Sequence, residues 1–412
     1  MPPRNNENAK KAPAMETPKT DIGQDETPKF YGAAPAVEDI GTDFTFKHQI
    51  VWKNAIAYLG FHIVGLVGLL MVLSFRVNPL TTLYTIMVLL IGGVGLTMGA
   101  HRYFTHRAFK AKLIPRRILM ILFVINGQNS LWEWARDHRQ HHKYSDTDAD
   151  PHNASRGFFF SHVGWLLSRK HPKVFQYGKG IDMSDLEADS WIMFQKKCEH
   201  CCLKYLHISI QKDYLRFLSR YFLPIYGLVA ILIPCIIPVL LWNEDPIKSL
   251  VVCYFARTTL GLNFTWFVNS LAHIYGTRPY DKSILPVQSQ FVSIVGIGEG
   301  WHNYHHAFPW DYRTSEYGTP YNFTAKVIDY CAKKGWVYDL KAPTEESIKN
   351  RVKKTGDNSH EKYGDPTKYS GVETWNNVWI TPGNPTYTSK IKPQPIKITR
   401  EYVLYDTDKK FE

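Results

Sequence analysis

Four long apolar runs, paired by very short polar turns, leave this chain few folds to choose from. Residues 55–75 and 80–100 each approach the roughly 20 residues that cross a bilayer as a helix. Only a short polar piece around Arg76, Asn78 and Pro79 separates them. A second pair, 221–242 and 250–273, is joined by residues 243–249. Each pair reads as a helical hairpin. Buried helices of a soluble all-α protein rarely come this long and this apolar. Residues 114–125 are apolar but short and basic at Arg116 and Arg117. They read as a buried or interfacial helix rather than a span.

Two hairpins put both termini, residues 101–220 and everything after 273 on one side of the membrane. That side carries most of the Lys and Arg, whereas the turns carry one each, Arg76 and Lys248. The positive-inside rule places it in the cytosol. The sequons at Asn153, Asn263 and Asn322 are then expected to stay unglycosylated. The averages hide all this: 44% hydrophobic and 21% charged residues look ordinary because the apolar ones are concentrated in runs. Residues 1–44 lack apolar content and read as a disordered cytosolic leader. Residues 45–340 read as one membrane domain, and 341–412 as an extended cytosolic tail. The first thirty residues have no apolar core, so no cleaved signal peptide is expected. Six cysteines are too sparse for a disulfide scaffold. The formal charge of +12 suits an acidic partner, a phosphorylated ligand or an anionic membrane face. The final Lys409-Lys410-Phe411-Glu412 looks like a dilysine retrieval signal of the endoplasmic reticulum.

Seventeen histidines are scattered along the chain, and nine of them form a pattern. His101 and His106 follow the second run. His138, His141 and His142 lie in the middle segment. Asn269 and His273 end the fourth run, and His302, His305 and His306 come shortly after. All four groups fall at one membrane face. In HxxHH the histidines are at i, i+3 and i+4 and share a helix face, from which three imidazoles can point at a common centre. His101 and His106, five apart, are about 140° apart on an ideal helix. They are expected to straddle a helix end or to address different ions. Nine imidazoles exceed what one ion can hold, so two ions are implied. Imidazole suits Zn, Cu, Fe and Ni alike. Ligating histidines need acceptors that fix their tautomer, and Asp137, Asp146, Asp148, Asp150, Glu299 and Asp311 are candidates. His152, His162, His171, His200 and His207 lack the spacing and read as ordinary residues.

HRYFTH (101–106), DHRQHH (137–142), NSLAH (269–273) and GEGWHNYHH (298–306) resemble the membrane-bound acyl-CoA desaturases. The resemblance runs from about Val51 to Asp357. One departure is HRYFTHRAF, where the family more usually has HRLWxHRSY. The family removes two hydrogens from an unactivated acyl chain, which implies two irons, O2 and a dry tunnel. The implied fold is an all-α membrane protein, with four transmembrane helices in two hairpins under a cytosolic helical cap that holds a histidine-rich di-iron site. The nine histidines carry over as ligands, with Asn269 acting through a water. Gln128, Thr265 and Trp266 match residues that shape the kink of the acyl tunnel, and Leu89 and Gly93 its far end. Asn54, Asn129, Trp134, Arg136, Asp137, Trp165, Arg169 and Lys170 match the CoA-binding positions. His171-Pro172 is followed by Lys173 and Val174, not by the haem HPGG motif, so cytochrome b5 with its NADH-dependent reductase is implied as a separate donor. No nucleic-acid partner is expected. Leu285-Pro286-Val287-Gln288 resembles the LPxQ signature of moth pheromone-gland Δ11 desaturases, which favours Δ11 over Δ9. A fatty-acyl hydroxylase or acetylenase shares the scaffold. A metal transporter is the reading from another class, and it would place ligands at mid-membrane.

Overall fold

In the computed structural model the described residues are 40–201, 222–316 and 321–369. The leader up to 39, Cys202 and the tail beyond 369 with its dilysine end lie outside them. The regular secondary structure of the described residues is nearly all helical. The first hairpin is α1 (Trp52–Leu73) and α2 (Pro79–Val94). The side chain of Asn78 accepts the Leu80 N–H at 2.9 Å, and Pro79 opens α2 where its missing N–H costs nothing. α2 then passes without a break into a π-helix, Gly95–Thr105. The second hairpin rises through Phe222–Tyr226, a π-helix Gly227–Leu232 and Ile233–Trp242. It reverses at Asn243, with φ 55°, and descends through Pro246–Leu250, a π-helix Val251–Ala256 and Arg257–Asn269. Glu244 ties the two turns together. Its carboxylate accepts the Asn78 N–H at 2.9 Å and the Thr81 hydroxyl at 2.5 Å, while the Trp242 indole donates to Thr81 at 2.8 Å. Both turns therefore lie at one end of the bundle.

Three helices, Trp52–Leu73, Pro79–Thr105 and Pro224–Trp242, are long and apolar enough to cross a membrane. Only 11% of the first and 17% of the third is buried, against 56% of the second. The second is thus the inner helix. The outer ones present Leu59, Ile63, Leu66, Leu70, Leu240 and Leu241 outward, a surface suited to lipid. The fourth expected span is helical but too polar to join them among the described residues. The reason is its position. Its buried residues include Cys253, Arg257, Thr258, Thr259 and Trp266, so its polar groups face protein. α1 packs closely on it because Gly68 has no side chain: a Cβ there would lie 2.7 Å from the Val251 carbonyl oxygen and 2.9 Å from Ala256 Cβ. The Arg257 guanidinium is buried and donates to the carbonyls of Cys253 (2.6 Å), Ile125 (2.8 Å) and Ala230 (2.8 Å). Cys253 and Ala230 both lie in π-helices, where the regular ladder is interrupted, so the cation satisfies oxygens that lipid could not.

Beyond the π-helix, Lys110–Ala111 and Val337–Tyr338 pair antiparallel with Lys110 opposite Tyr338. Two cap helices follow, α3 (Leu113–Val124) and α4 (Leu131–Tyr144). α3 buries Leu119, Met120, Phe123 and Val124 and exposes Leu113, Ile114 and Ile118, as an interfacial helix does. The Ser130 hydroxyl caps α4 by accepting the Glu133 N–H at 3.3 Å. Two expected boundaries move. The leader ends before Ile40, which is buried, and the Asp43 N–H donates to Asp148 at 2.9 Å. The tail does not start at 341: Glu345–Thr355 is a helix that buries Ile348 and Val352 with Tyr280 and Tyr304. Those two apolar residues, four apart among charges, are the amphipathic signal that local polarity masks. The Arg351–Asp281 pair at 2.6 Å and the His360–Glu316 contact at 2.8 Å hold this segment down.

Candidate metal centre

The nine histidines come together as two groups. His101, His106, His138, His142 and His305 form one, and His141, His273, His302 and His306 the other. Within each group the ligand atoms all lie within 4.8 Å of one another. Nε2 atoms converge in the first at 2.9 Å (His101–His305), 3.1 Å (His106–His138) and 2.9 Å (His142–His305). In the second, His302 Nε2 lies 3.0 Å from His273 and 3.1 Å from His306.

One expectation holds here and another fails, both for geometric reasons. His101 and His106 straddle a helix end as expected, His101 inside the π-helix and His106 at its C-cap, and both belong to one group. The i→i+5 repeat of the π-helix brings residues five apart back to one face, up to the capping residue. The His106 N–H accordingly donates to the His101 carbonyl at 3.1 Å. By contrast, neither HxxHH points at a common centre. His138 and His142 join the first group and His141 the second, while His302 and His306 join the second and His305 the first. Residues i and i+4 are about 40° apart on a helix, and i+3 lies about 100° from i+4. Each helix therefore lends a pair to one group and a single ring to the other.

The tautomers are set from outside. His101 Nδ1 is 2.8 Å from Glu299, His141 Nδ1 2.8 Å from Asp150, and His273 Nδ1 3.1 Å from Asp146. A proton held at Nδ1 leaves an Nε2 lone pair facing inward. His141 Nε2 is buried with no hydrogen-bond partner. Burial, then neighbouring imidazoles, pushes His106, His138, His142, His302, His305 and His306 well below the usual 6.5, so these rings are neutral at pH 7. Glu299 is itself set by Arg102, whose guanidinium donates to it at 2.8 Å and 3.1 Å and is fully buried. Of the other candidate acceptors, Asp137 pairs with Arg136 (2.6 Å) and Lys170 (2.7 Å), Asp148 with Arg156 (2.6 Å), and Asp311 with the Tyr304 hydroxyl (2.5 Å). His152, read as ordinary, instead joins a third cluster with Asp150 and His141. Its proximity to the site came from a turn that the spacing rule did not cover.

A largely apolar cavity meets both groups. His101 and His138 of the first and His302 of the second are in its wall, together with Asn269, Thr265, Trp134, Leu89 and Gly93. Gln128 braces the wall: its amide donates to Thr265 at 2.8 Å and accepts the Trp134 indole N–H at 3.2 Å. Trp134, expected at the CoA end, stacks on His138 with centroids 5.0 Å apart. Trp266, expected at the kink, stands behind the wall, stacked on His62 at 5.6 Å. A separate polar cleft is lined by Trp165, Arg169 and Lys170 with His48, Arg156 and His171. Asn54 is not in its lining; its amide donates to the carbonyl of Leu166, next to Trp165, at 2.9 Å. Asn129 lies on the turn before α4 with φ 45°.

Residues 79–341 match the sequence profile of the fatty acid desaturases. The chain belongs to that family. Similar proteins include an acyl-CoA Delta-9 desaturase of Acheta domesticus, 48% identical over 77% of this chain and 82% of that protein. An acyl-CoA Delta(11) desaturase of Trichoplusia ni is 46% identical over 76% of this chain and 83% of its own. Stearoyl-CoA desaturase 4 of Mus musculus is 45% identical over 76% and 82%. The desaturase is thus an oxidoreductase, and its buried histidine groups fit a metal site.

Proposed function

We propose that this desaturase inserts a double bond into a saturated fatty acyl-CoA at two irons, one in each histidine group. The observation that carries the reading is the cavity wall: one apolar channel touches His101 and His138 of one group and His302 of the other. Five imidazoles in one group exceed the four-coordinate preference of structural zinc, which favours iron. The irons, when bound, supply the oxidant drawn from O2 that an unactivated C–H bond requires. In this reading His101, His106, His138, His142 and His305 hold one metal. His141, His273, His302 and His306 hold the other, with Asn269 through a water. Gln128, Thr265 and Trp134 fix the bend of the acyl chain beside them, and the apolar wall from Leu89 to Gly93 excludes water.

The charged cleft suits the CoA end. Arg169, Lys170 and Arg136 offer cations to phosphates, and Asp137, flanked by Arg136 and Lys170, holds them in place. The relatives' names cover Delta-9 and Delta(11) enzymes, and the LPVQ segment favours Δ11. That segment works behind the site: the His302 N–H donates to Val287 O at 3.2 Å, and none of its four residues is in the cavity wall. The Δ9 reading, which the Acheta domesticus protein favours, is therefore settled by product analysis. We assign the electrons to cytochrome b5 and its NADH-dependent reductase, for which the net charge of +12 is suited. The location proposed is the endoplasmic reticulum membrane, with four crossings and both termini in the cytosol.

Expression in desaturase-deficient yeast fed saturated C14 to C18 acids tests this. New monoenes, absent in His302→Ala, are expected, and the bond located by mass spectrometry separates Δ11 from Δ9. An iron-loaded protein that forms only hydroxylated products, or none, would defeat the reading.

A further inference from the structure

The loop between Gln290–Val295 and the histidine helix His302–Ala307 contains an anomaly. Ile297 has φ 51°, a left-handed backbone that a β-branched residue rarely adopts. Its neighbours are Gly296 and Gly298, so glycine stands on both sides of the one position where an isoleucine is strained. Such strain persists only where the surroundings over-determine it, and it marks functional positions.

The surroundings are on record in the hydrogen bonds. The Ile297 carbonyl accepts the Thr324 N–H at 3.2 Å and the Thr324 hydroxyl at 3.0 Å. The Thr324 hydroxyl lies 2.8 Å from that of Thr97, which donates to the Gly93 carbonyl at 2.9 Å. A polar strap thus runs from Ile297 on the loop to Gly93 on α2. Inside it, the two residues meet in the cavity. Both are in its wall, and a Cβ on Gly93 would lie 3.1 Å from Ile297 Cδ1, its one close contact outside its own helix turn among the described residues. Gly93 by itself reads as open room for an acyl chain. In the fold, part of that room belongs to the isoleucine.

We propose that Ile297 is a specificity-determining residue: its side chain, held inward by the strained loop, closes the tunnel against Gly93 and sets the acyl length accepted. This rests on the acyl-CoA reading above. The pair acts as one constriction, so its two members are coupled. Gly93→Ala narrows it only while Ile297 keeps Cδ1.

The test uses the full chain in yeast microsomes with saturated acyl-CoAs of fourteen to twenty carbons in competition. The readout is the ratio of monoenes by length, which does not depend on expression level. Ile297→Val, which removes only Cδ1, and Ile297→Gly, which also relieves the backbone, are expected to shift the ratio toward longer chains. About tenfold per methylene admitted is the expected scale. Gly93→Ala should shift it toward shorter chains, and Gly93→Ala with Ile297→Val should return it toward wild type. Ile297→Val and Ile297→Gly ratios equal to wild type would overturn the proposal, as would a Gly93→Ala shift of the same size in both backgrounds. A wild-type chain that makes hydroxylated products instead of monoenes overturns the acyl-CoA desaturase reading, and this inference with it.

Discussion

A carboxylate behind a histidine decides which nitrogen faces the metal, and this chain places such a carboxylate behind one ring of the first group and two of the second. Asp150 is the most enclosed of the three. It accepts from His141 Nδ1 at 2.8 Å and also from the Asp146 and His152 backbone N–H groups, at 2.8 and 2.9 Å. Asp150→Asn keeps the shape and loses the charge. It should lower metal content or turnover by about 10–100-fold, read by metal analysis of the purified protein. Asp137→Asn is the contrast. It breaks the Arg136–Asp137–Lys170 triad and touches no histidine of the groups. It should keep its metal content and raise KM for acyl-CoA. Equal metal loss in both variants would show that the two aspartates do not have separate roles.

At the scale of elements, the π-helices are the common device. Gly95–Thr105 aligns His101 with His106, and Gly227–Leu232 and Val251–Ala256 expose carbonyls that Arg257 collects. Gly95–Thr105 lines the cavity, as does Arg257–Asn269, into which Val251–Ala256 leads, so packing there has little tolerance. Gly68→Leu would drive a side chain into the Val251 carbonyl and Ala256. Overpacking of this kind costs about 1–3 kcal/mol and should appear as a lower Tm in detergent. Gly60→Ala, on the same helix with nothing within 4 Å of its Cβ, should leave Tm nearly unchanged.

For the molecule as a whole, the buried titratable groups predict an acid response in two stages. His106, His138, His142, His302, His305 and His306 stay neutral in the fold below 6.5, where the unfolded chain takes up protons. The unfolded state then binds more protons, so stability falls as pH drops from about 6.5. Asp150, Asp185 and Glu299 come second. Burial pushes each up, but His141, Arg139 and Arg102 respectively hold each at about 2. Their contribution is full above about 4 and is lost as pH falls toward 2. Protein stripped with a chelator should lose Tm steadily from pH 7 to 5, and metal-loaded protein should release metal over the same range because protons compete for the ligands. A Tm that is flat from 7 to 5 in the stripped protein would contradict this burial.

The nine histidines, their number of centres and the apolar helices that carry them were legible in residue order, because ligand type, spacing and apolar length are local properties. So were Asp146, Asp150 and Glu299 as acceptors, although only the fold separated them from Asp137, Asp148 and Asp311. The partition of the rings depends on helix phase: five residues span one turn of a π-helix but not of an α-helix, so His101 and His106 looked divergent until the backbone was known. The fourth span looked like the other three until its polar residues were seen to face protein. Ile297 carried no signal in residue order, since strain and a contact with Gly93, distant in sequence, exist only once the chain has folded. Which residues can offer metal ligands is thus a matter of residue type and spacing along the chain, and where the rings, the charge of Arg257 and the cavity wall meet is a matter of tertiary geometry.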